Sequence, residues 1–356
     1  MSTASSAGFD EIPIVSLATI DGSDHERAGL AERMCTVAHE VGFMVITDHG
    51  IDNAVVADVF DLMERFFTLD EDTRALIDKA MSPRFRGWES VGSEYTNNRV
   101  DVREQIDIWS AWPETDEPGG PVHQRLHGPN QWMPAEIVPR QRAVTERWMA
   151  ELSTLSDRIL ELFAIGLGLD VDFFVELFGD RPMSLTKMIS YPPTPVGGAG
   201  VNAHHDTGFV TLLAPGDVAG LEVLNPADEW IKVPTIPTSF VLNLGEMLQS
   251  ITGNYFVATA HRVIADEPRR SAAYFHGPSL DTRLDPIELD QRFVDAVASS
   301  PRHASAGFMA SAAETDAGVG DMASRHRAGT YGEQLWNYFA RSYPDNVARH
   351  HPDVAG

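Results

Sequence analysis

Cysteine is nearly absent from the chain: Cys35 is the single one in 356 residues. No internal disulfide can form, which fits a reducing compartment, and Cys35 falls in an amphipathic helix where it reads as a passive residue. Positive charge is also scarce, with 27 Lys and Arg against 52 Asp and Glu and a net charge of −25. Such a surface repels phosphate backbones and anionic lipid, and no basic block offsets it, so neither nucleic acid nor a membrane is expected as a partner. No run approaches the roughly 18–20 apolar residues of a membrane span. The opening MSTASSAGFDEIP has neither a charged n-region nor an apolar h-region, so no signal peptide is expected and the protein is placed in the cytoplasm. Repeats and low-complexity runs are missing too, apart from that short polar start.

What is present is ordinary globular material, 43% hydrophobic and 22% charged, long enough for a sizeable core. Leu30, Met34, Val37 and Val41 recur at helical spacing from Asp24 onward, with Gly42 as a stop. GFMVIT then reads as a short buried strand. Asp52 can cap a second helix carrying Val56, Val59, Met63 and Phe66, and Asp70 to Asp78 reads as a shorter third. Residues 81–137 are irregular apart from a strand at Gln105 to Trp109, the kind of segment that drapes over a site. A strong helix follows, with Val144, Trp148, Leu152, Leu155, Ile159 and Leu162 on one face. From Leu185 the runs KMISY, FVTLL, LEVL, WIKVP, SFVLNL, HRVI and SAAYF alternate with turns, which predicts a double-sheet jelly roll. A last helix is expected over Tyr331 to Arg341, and 281–327 resists assignment.

Within the β-rich part, AHHDTGFVTLL holds His204 and Asp206 two residues apart, and His261 follows 55 residues after Asp206. On a strand, positions i and i+2 share a face, so imidazole and carboxylate can reach one ion, with His261 approaching from a strand across the interior. Two His and one carboxylate on one face of an octahedral ion leave three positions open, the arrangement of Fe(II) oxygenases. His351-Pro352-Asp353 also fits H-x-D, but it lies in the final six residues with no chain left for a third ligand. The same ligand types bind Zn²⁺ in hydrolases. No H-E-x-x-H occurs, however, the nearest string being His39-Glu40-Val41-Gly42-Phe43.

The surrounding motifs carry a resemblance. YPPTPVGGAGVNAHHDTGFVTLL, GLEVLNPADEWIKVP, NLGEMLQSITG, HRV and RRSAAYF occur in the order seen in the isopenicillin N synthase-like 2-oxoglutarate/Fe(II)-dependent dioxygenases. IPIVSL, AHEVGFMVITDHGI, RFFTLDEDTR and RGWES with DVREQIDIW are similar to that family's N-terminal region. The resemblance implies an α+β chain: a double-stranded β-helix core with a helical N-terminal region and a C-terminal extension. Its parts would be 10–130, the N-terminal region; 131–180, connecting helices; 181–282, the core; and 283–356, the extension.

The resemblance also implies Fe(II) on His204, Asp206 and His261, 2-oxoglutarate as cosubstrate, and O₂. Arg269 and Ser271 match the R-x-S pair that holds the far carboxylate of 2-oxoglutarate, and Tyr191 the tyrosine that assists them. A guanidinium and a hydroxyl on one strand face can clamp a carboxylate, with Arg270 as the alternative if the strand is bulged. Lys187 shares the face of Tyr191 and, if buried, needs an anionic partner such as a substrate carboxylate. Phe275 and Arg341 are further candidates for the substrate pocket. The implied reaction is hydroxylation or desaturation of a small molecule with release of succinate and CO₂, and no obligate protein partner is evident. Oxidases that do not decarboxylate 2-oxoglutarate, ethylene-forming enzymes and a non-catalytic jelly-roll binding protein are the alternatives.

Overall fold

The structure is a computed structural model describing residues 9–96, 99–114, 120–196, 198–300, 302–303 and 329–354. It begins with β1 (Ile14–Ser16), α1 (Asp24–Glu40), β2 (Phe43–Thr47), α2 (Asn53–Phe67) and the short α3 (Glu71–Arg74). The Glu26 carboxylate accepts from the Ser23 N–H at 2.8 Å and closes the start of α1. Asp52 caps α2 by accepting from the Ala54 N–H at 2.9 Å. Gly42, with φ +73°, makes the turn between α1 and β2. The expected third helix is one α turn followed by a 3₁₀ turn, Ala75–Ile77.

The segment that reads as irregular contributes β3 (Gly87–Glu89), β4 (Tyr95–Thr96), β5 (Arg99–Val100) and β6 (Glu104–Trp109). Next come α4 (Gln141–Leu167) and α5 (Phe173–Phe178). The long α4 buries Trp148, Leu152, Leu155, Ile159 and Leu162, the stripe its 3.6 period dictates, and Gly168 ends it in the left-handed region. The strand-rich part is β7 (Leu185–Tyr191), β8 (Val201–His204), β9 (Val210–Ala214), β10 (Leu221–Leu224), β11 (Trp230–Lys232), β12 (Phe240–Leu244), α6 (Glu246–Ile251), β13 (His261–Val263) and β14 (Arg269–His276). The described chain closes with α7 (Gln291–Ser299), α8 (Tyr331–Ser342) and α9 (Pro344–His350).

Two sheets make the core: an eight-stranded sheet in the order β1-β2-β12-β9-β14-β7-β6-β3 and a four-stranded sheet in the order β11-β10-β13-β8. Alternation divides the large sheet into two faces. Met44, Ile46, Leu212, Leu242, Ala272 and Tyr274 pack in one cluster with residues of α1, α2 and α4. Phe43, Val45, Ile189, Tyr191 and Val241 pack with Val201, Leu221, Val223 and Val263 of the small sheet. The result is the expected double-sheet core under a helical layer.

Candidate active site

His204 ends β8, and its register partner across the ladder is His261, the first residue of β13. The two strands are therefore neighbours in the small sheet, whereas the sequence suggests strands that oppose each other across the interior. Asp206 is the second departure, because β8 stops at His204 and the carboxylate sits in the following loop. Its aim comes from side chains of the large sheet: Oδ2 accepts from Thr211 Oγ1 at 2.6 Å and from Asn243 Nδ2 at 2.7 Å. The other oxygen, Oδ1, lies 3.6 Å from His204 Nε2 and 3.7 Å from His261 Nε2.

The three side chains offer ligand atoms within 4.8 Å of one another, close enough for one metal ion. Each imidazole is held through its other nitrogen. His204 Nδ1 lies 2.9 Å from the Asn202 carbonyl, and His261 Nδ1 lies 3.1 Å from the Thr259 carbonyl. A backbone carbonyl accepts only, so each Nδ1 carries the proton and each Nε2 presents a lone pair. Burial pushes His261 down to about 3, so at neutral pH no proton has to leave. Burial opposes ionisation of Asp206, yet the two imidazoles and Thr211 outweigh it and hold the carboxyl well below the usual range.

Tyr191, Arg269 and Ser271 lie on the inner face of the large sheet. Arg269 pairs with Tyr191 across the β7–β14 ladder, and that register runs unbroken to Phe275 and Leu185. The strand has no bulge there, so Arg269 points inward, while Arg270 points outward to an ion pair with Glu64 of α2. The Arg269 guanidinium stands 4.7 Å from the centre of the Tyr191 ring. Its Nε and Nη2 donate to the carbonyls of Val218 at 3.3 Å and Pro215 at 3.1 Å. Its Nη1 and the Ser271 hydroxyl, both buried, have no partner among the described residues. Two orphaned donors side by side on a buried face fit an acceptor that comes from outside the protein.

Phe275 is half-buried farther along the same face, with Thr211 and Leu185 as register partners. Lys187 does not rely on an outside carboxylate: its ammonium lies 3.2 Å from Glu94 and 3.5 Å from Asp107. Arg341 is exposed in the last turn of α8. His351 is buried with Nε2 2.7 Å from the Pro83 carbonyl, and Asp353 pairs with Arg125, so this second H-x-D fastens the C-terminus. Thr211, Asn243 and Glu94 escaped the sequence reading. The signal for the first two was there, since a polar residue inside an apolar strand such as FVTLL or FVLNL calls for a buried partner.

Residues 12–135 match the family described as non-haem dioxygenase in morphine synthesis N-terminal, and residues 182–278 match the 2OG-Fe(II) oxygenase superfamily. The 2-oxoglutarate-dependent dioxygenase frbJ of Dothideomycetidae sp. (strain 11243) is 30% identical over 80% of this chain and 78% of its own. The chain belongs to the 2-oxoglutarate/Fe(II)-dependent dioxygenases. A homoarginine-6-hydroxylase of Oryza sativa subsp. japonica, 2-ODD-233, is 28% identical over 82% of this chain and 92% of its own. Among solved structures, a putative 2OG-Fe(II) oxygenase family protein from Caulobacter crescentus shares the fold, with a TM-score of 0.67, 25% identity and coverage of 81% of this chain and 98% of its own. As a member of this family of oxidoreductases the dioxygenase uses Fe(II) and 2-oxoglutarate. No helix among its described residues is long and apolar enough to cross a membrane.

Proposed function

We propose that the protein hydroxylates a small organic molecule, with Fe(II) held by His204, Asp206 and His261 and the far carboxylate of 2-oxoglutarate held by Arg269, Ser271 and Tyr191. The observation that carries this reading is the pairing of an open three-ligand cluster with two buried, unbonded donors on the facing sheet. Bound together, Fe(II) and 2-oxoglutarate supply activation of O₂ and oxidation of a substrate C–H bond, with succinate and CO₂ as co-products.

The chain contributes binding, orientation and exclusion of water. Arg269 Nη1 and the Ser271 hydroxyl, unbonded among the described residues, would donate to the far carboxylate, and the Tyr191 ring covers the guanidinium. Asn202 and Thr259 fix the proton on each Nδ1, so both imidazoles turn Nε2 to the ion. Thr211 and Asn243 occupy Oδ2 of Asp206 and leave Oδ1 as the oxygen that would bind the ion. Val201, Val263, Ile189 and Val241 keep the wall between the sheets apolar.

The test is release of labelled CO₂ from 1-[¹⁴C]-2-oxoglutarate by iron-loaded protein in air, with succinate measured in the same sample. Equal amounts of both products, abolished in His204→Ala, are expected. Consumption of O₂ without either product would point to a direct oxidase instead.

A further inference from the structure

A cluster of buried ions sits on the inner face of the large sheet, four residues along β7 from Tyr191. Lys187 pairs with Ala273 of β14 on one side and with Asp107 of β6 on the other. Lys79 lies 2.7 Å from Asp107, bonds Glu89, and reaches the Tyr343 hydroxyl at 3.1 Å. Arg103 lies 2.7 Å from Glu94 and 3.1 Å from Asp101. None of these charged side chains is more than 13% exposed. The cluster reaches the metal ligands through one residue. Asn202 donates its backbone N–H and its side-chain amide to Asp101 Oδ1, at 3.0 and 2.8 Å, and its carbonyl orients His204.

The cluster is out of balance in two independent ways. Among the described residues its carboxylates are Glu89, Glu94, Asp101 and Asp107, four in all, and its cations are Lys79, Lys187 and Arg103, three in all. Among the described residues its unbonded buried acceptors are Asp107 Oδ1 and Gln105 Oε1, on residues each 1% exposed, against one unbonded donor, Arg103 Nε. Gln105 belongs to the cluster because its amide donates to Glu89 at 3.0 Å. A buried negative charge without a counter-ion is strongly disfavoured. A water molecule would satisfy the acceptors but leave the charge. An anionic substrate would add to the excess.

We propose that this cluster is the substrate-recognition subsite and takes a cationic, donor-rich group, a primary ammonium or a guanidinium, on Asp107 Oδ1 and Gln105 Oε1. The proposal rests on the dioxygenase reading above and names its substrate class. The charged end of the molecule is anchored at β6, and the rest extends along β7 toward Tyr191 and the metal ligands.

The test uses protein loaded with Fe(II) and 2-oxoglutarate and measures succinate formation with each of a set of probes. n-Butylguanidine and n-hexylamine, both protonated at neutral pH, are the cations, n-butylurea and 1-hexanol their neutral counterparts, and hexanoate the anion. At least one cation is expected to raise succinate formation about tenfold over the rate without substrate, with its neutral counterpart at least about tenfold weaker in KM. Asp107→Asn should erase that preference, and Gln105→Leu, which leaves the charge alone, should raise KM for the cation. Succinate formation that no cation stimulates, or that neutral and anionic probes stimulate equally, overturns the proposal and leaves the dioxygenase reading intact. No succinate under any condition, with no 2-oxoglutarate bound, overturns both.

Discussion

Arg269 and Tyr191 are register partners across β7 and β14, and the ring covers the guanidinium at 4.7 Å while Nη1 has no partner among the described residues. Arg270, one residue on, faces the other way to Glu64. Neighbouring arginines on opposite faces of one strand thus put one guanidinium on the buried inner face and the other in an ion pair on the helical side.

Charge-assisted hydrogen bonds contribute about 1.5–3 kcal/mol each. Arg269→Ala should therefore raise KM for 2-oxoglutarate on the order of a hundredfold. Arg270→Ala removes only a surface ion pair, a contribution of about 0–1 kcal/mol to stability, and should leave that KM within about threefold. Steady-state kinetics on both variants checks the contrast.

Removal of the groups that aim Asp206 should weaken metal binding without touching a ligand. Thr211→Val and Asn243→Leu each take one donor from Oδ2. Loss of such support costs about 10–100-fold in metal affinity. Anaerobic equilibrium titration with Fe(II) reads it, with circular dichroism to show that the fold persists.

Gly245 gives a steric test of the same loop. A Cβ there would stand 2.2 Å from the Gly208 carbonyl oxygen, a backbone atom that cannot rotate away. The adjoining Glu246 N–H donates to the Asp206 carbonyl at 2.8 Å, so any shift passes to the ligand loop. Gly245→Ala should cost about 1–3 kcal/mol in urea unfolding and lower Fe(II) affinity as well.

The metal-free protein should lose stability in mild acid. Burial holds His303 at about 4 and His261 at about 3, both below the ordinary 6.5. The unfolded chain binds these protons as pH falls through 6.5, while the folded chain takes them only nearer 4 and 3. Stability is therefore full above 6.5 and declines as pH drops through 6.5 toward 4. Urea midpoints at about pH 7.5 and about pH 5 measure the slope, which His303→Gln should flatten.

Much of this was legible in the sequence because the signals are local. The apolar stripe of α4, the cap at Asp52 and the alternation in SFVLNL and SAAYF each rest on neighbouring residues. The proposed ligands and the R-x-S pair stand out in the sequence because their motifs lie within short stretches of chain. Long-range pairing hid the rest. That β8 and β13 are adjacent depends on a ladder that joins His204 with His261, far apart in the chain. Lys187 finds Glu94 across 93 positions and Lys79 meets Tyr343 across 264. No periodicity encodes such contacts; Asp107 falls in the strand that the sequence does show, whereas Glu94 lies where the chain reads as irregular because the flanking strands are short.

The central claim is that His204, Asp206 and His261 hold iron while Arg269 and Ser271 hold 2-oxoglutarate beside it. Anaerobic titration of the iron-loaded protein with 2-oxoglutarate, followed by visible absorbance, tests it most directly. A weak charge-transfer band should grow to saturation, vanish in His204→Ala, and require far more 2-oxoglutarate in Arg269→Ala than in Arg270→Ala. Iron binding with no band at any 2-oxoglutarate concentration, or equal effects of the two arginine variants, would contradict the account.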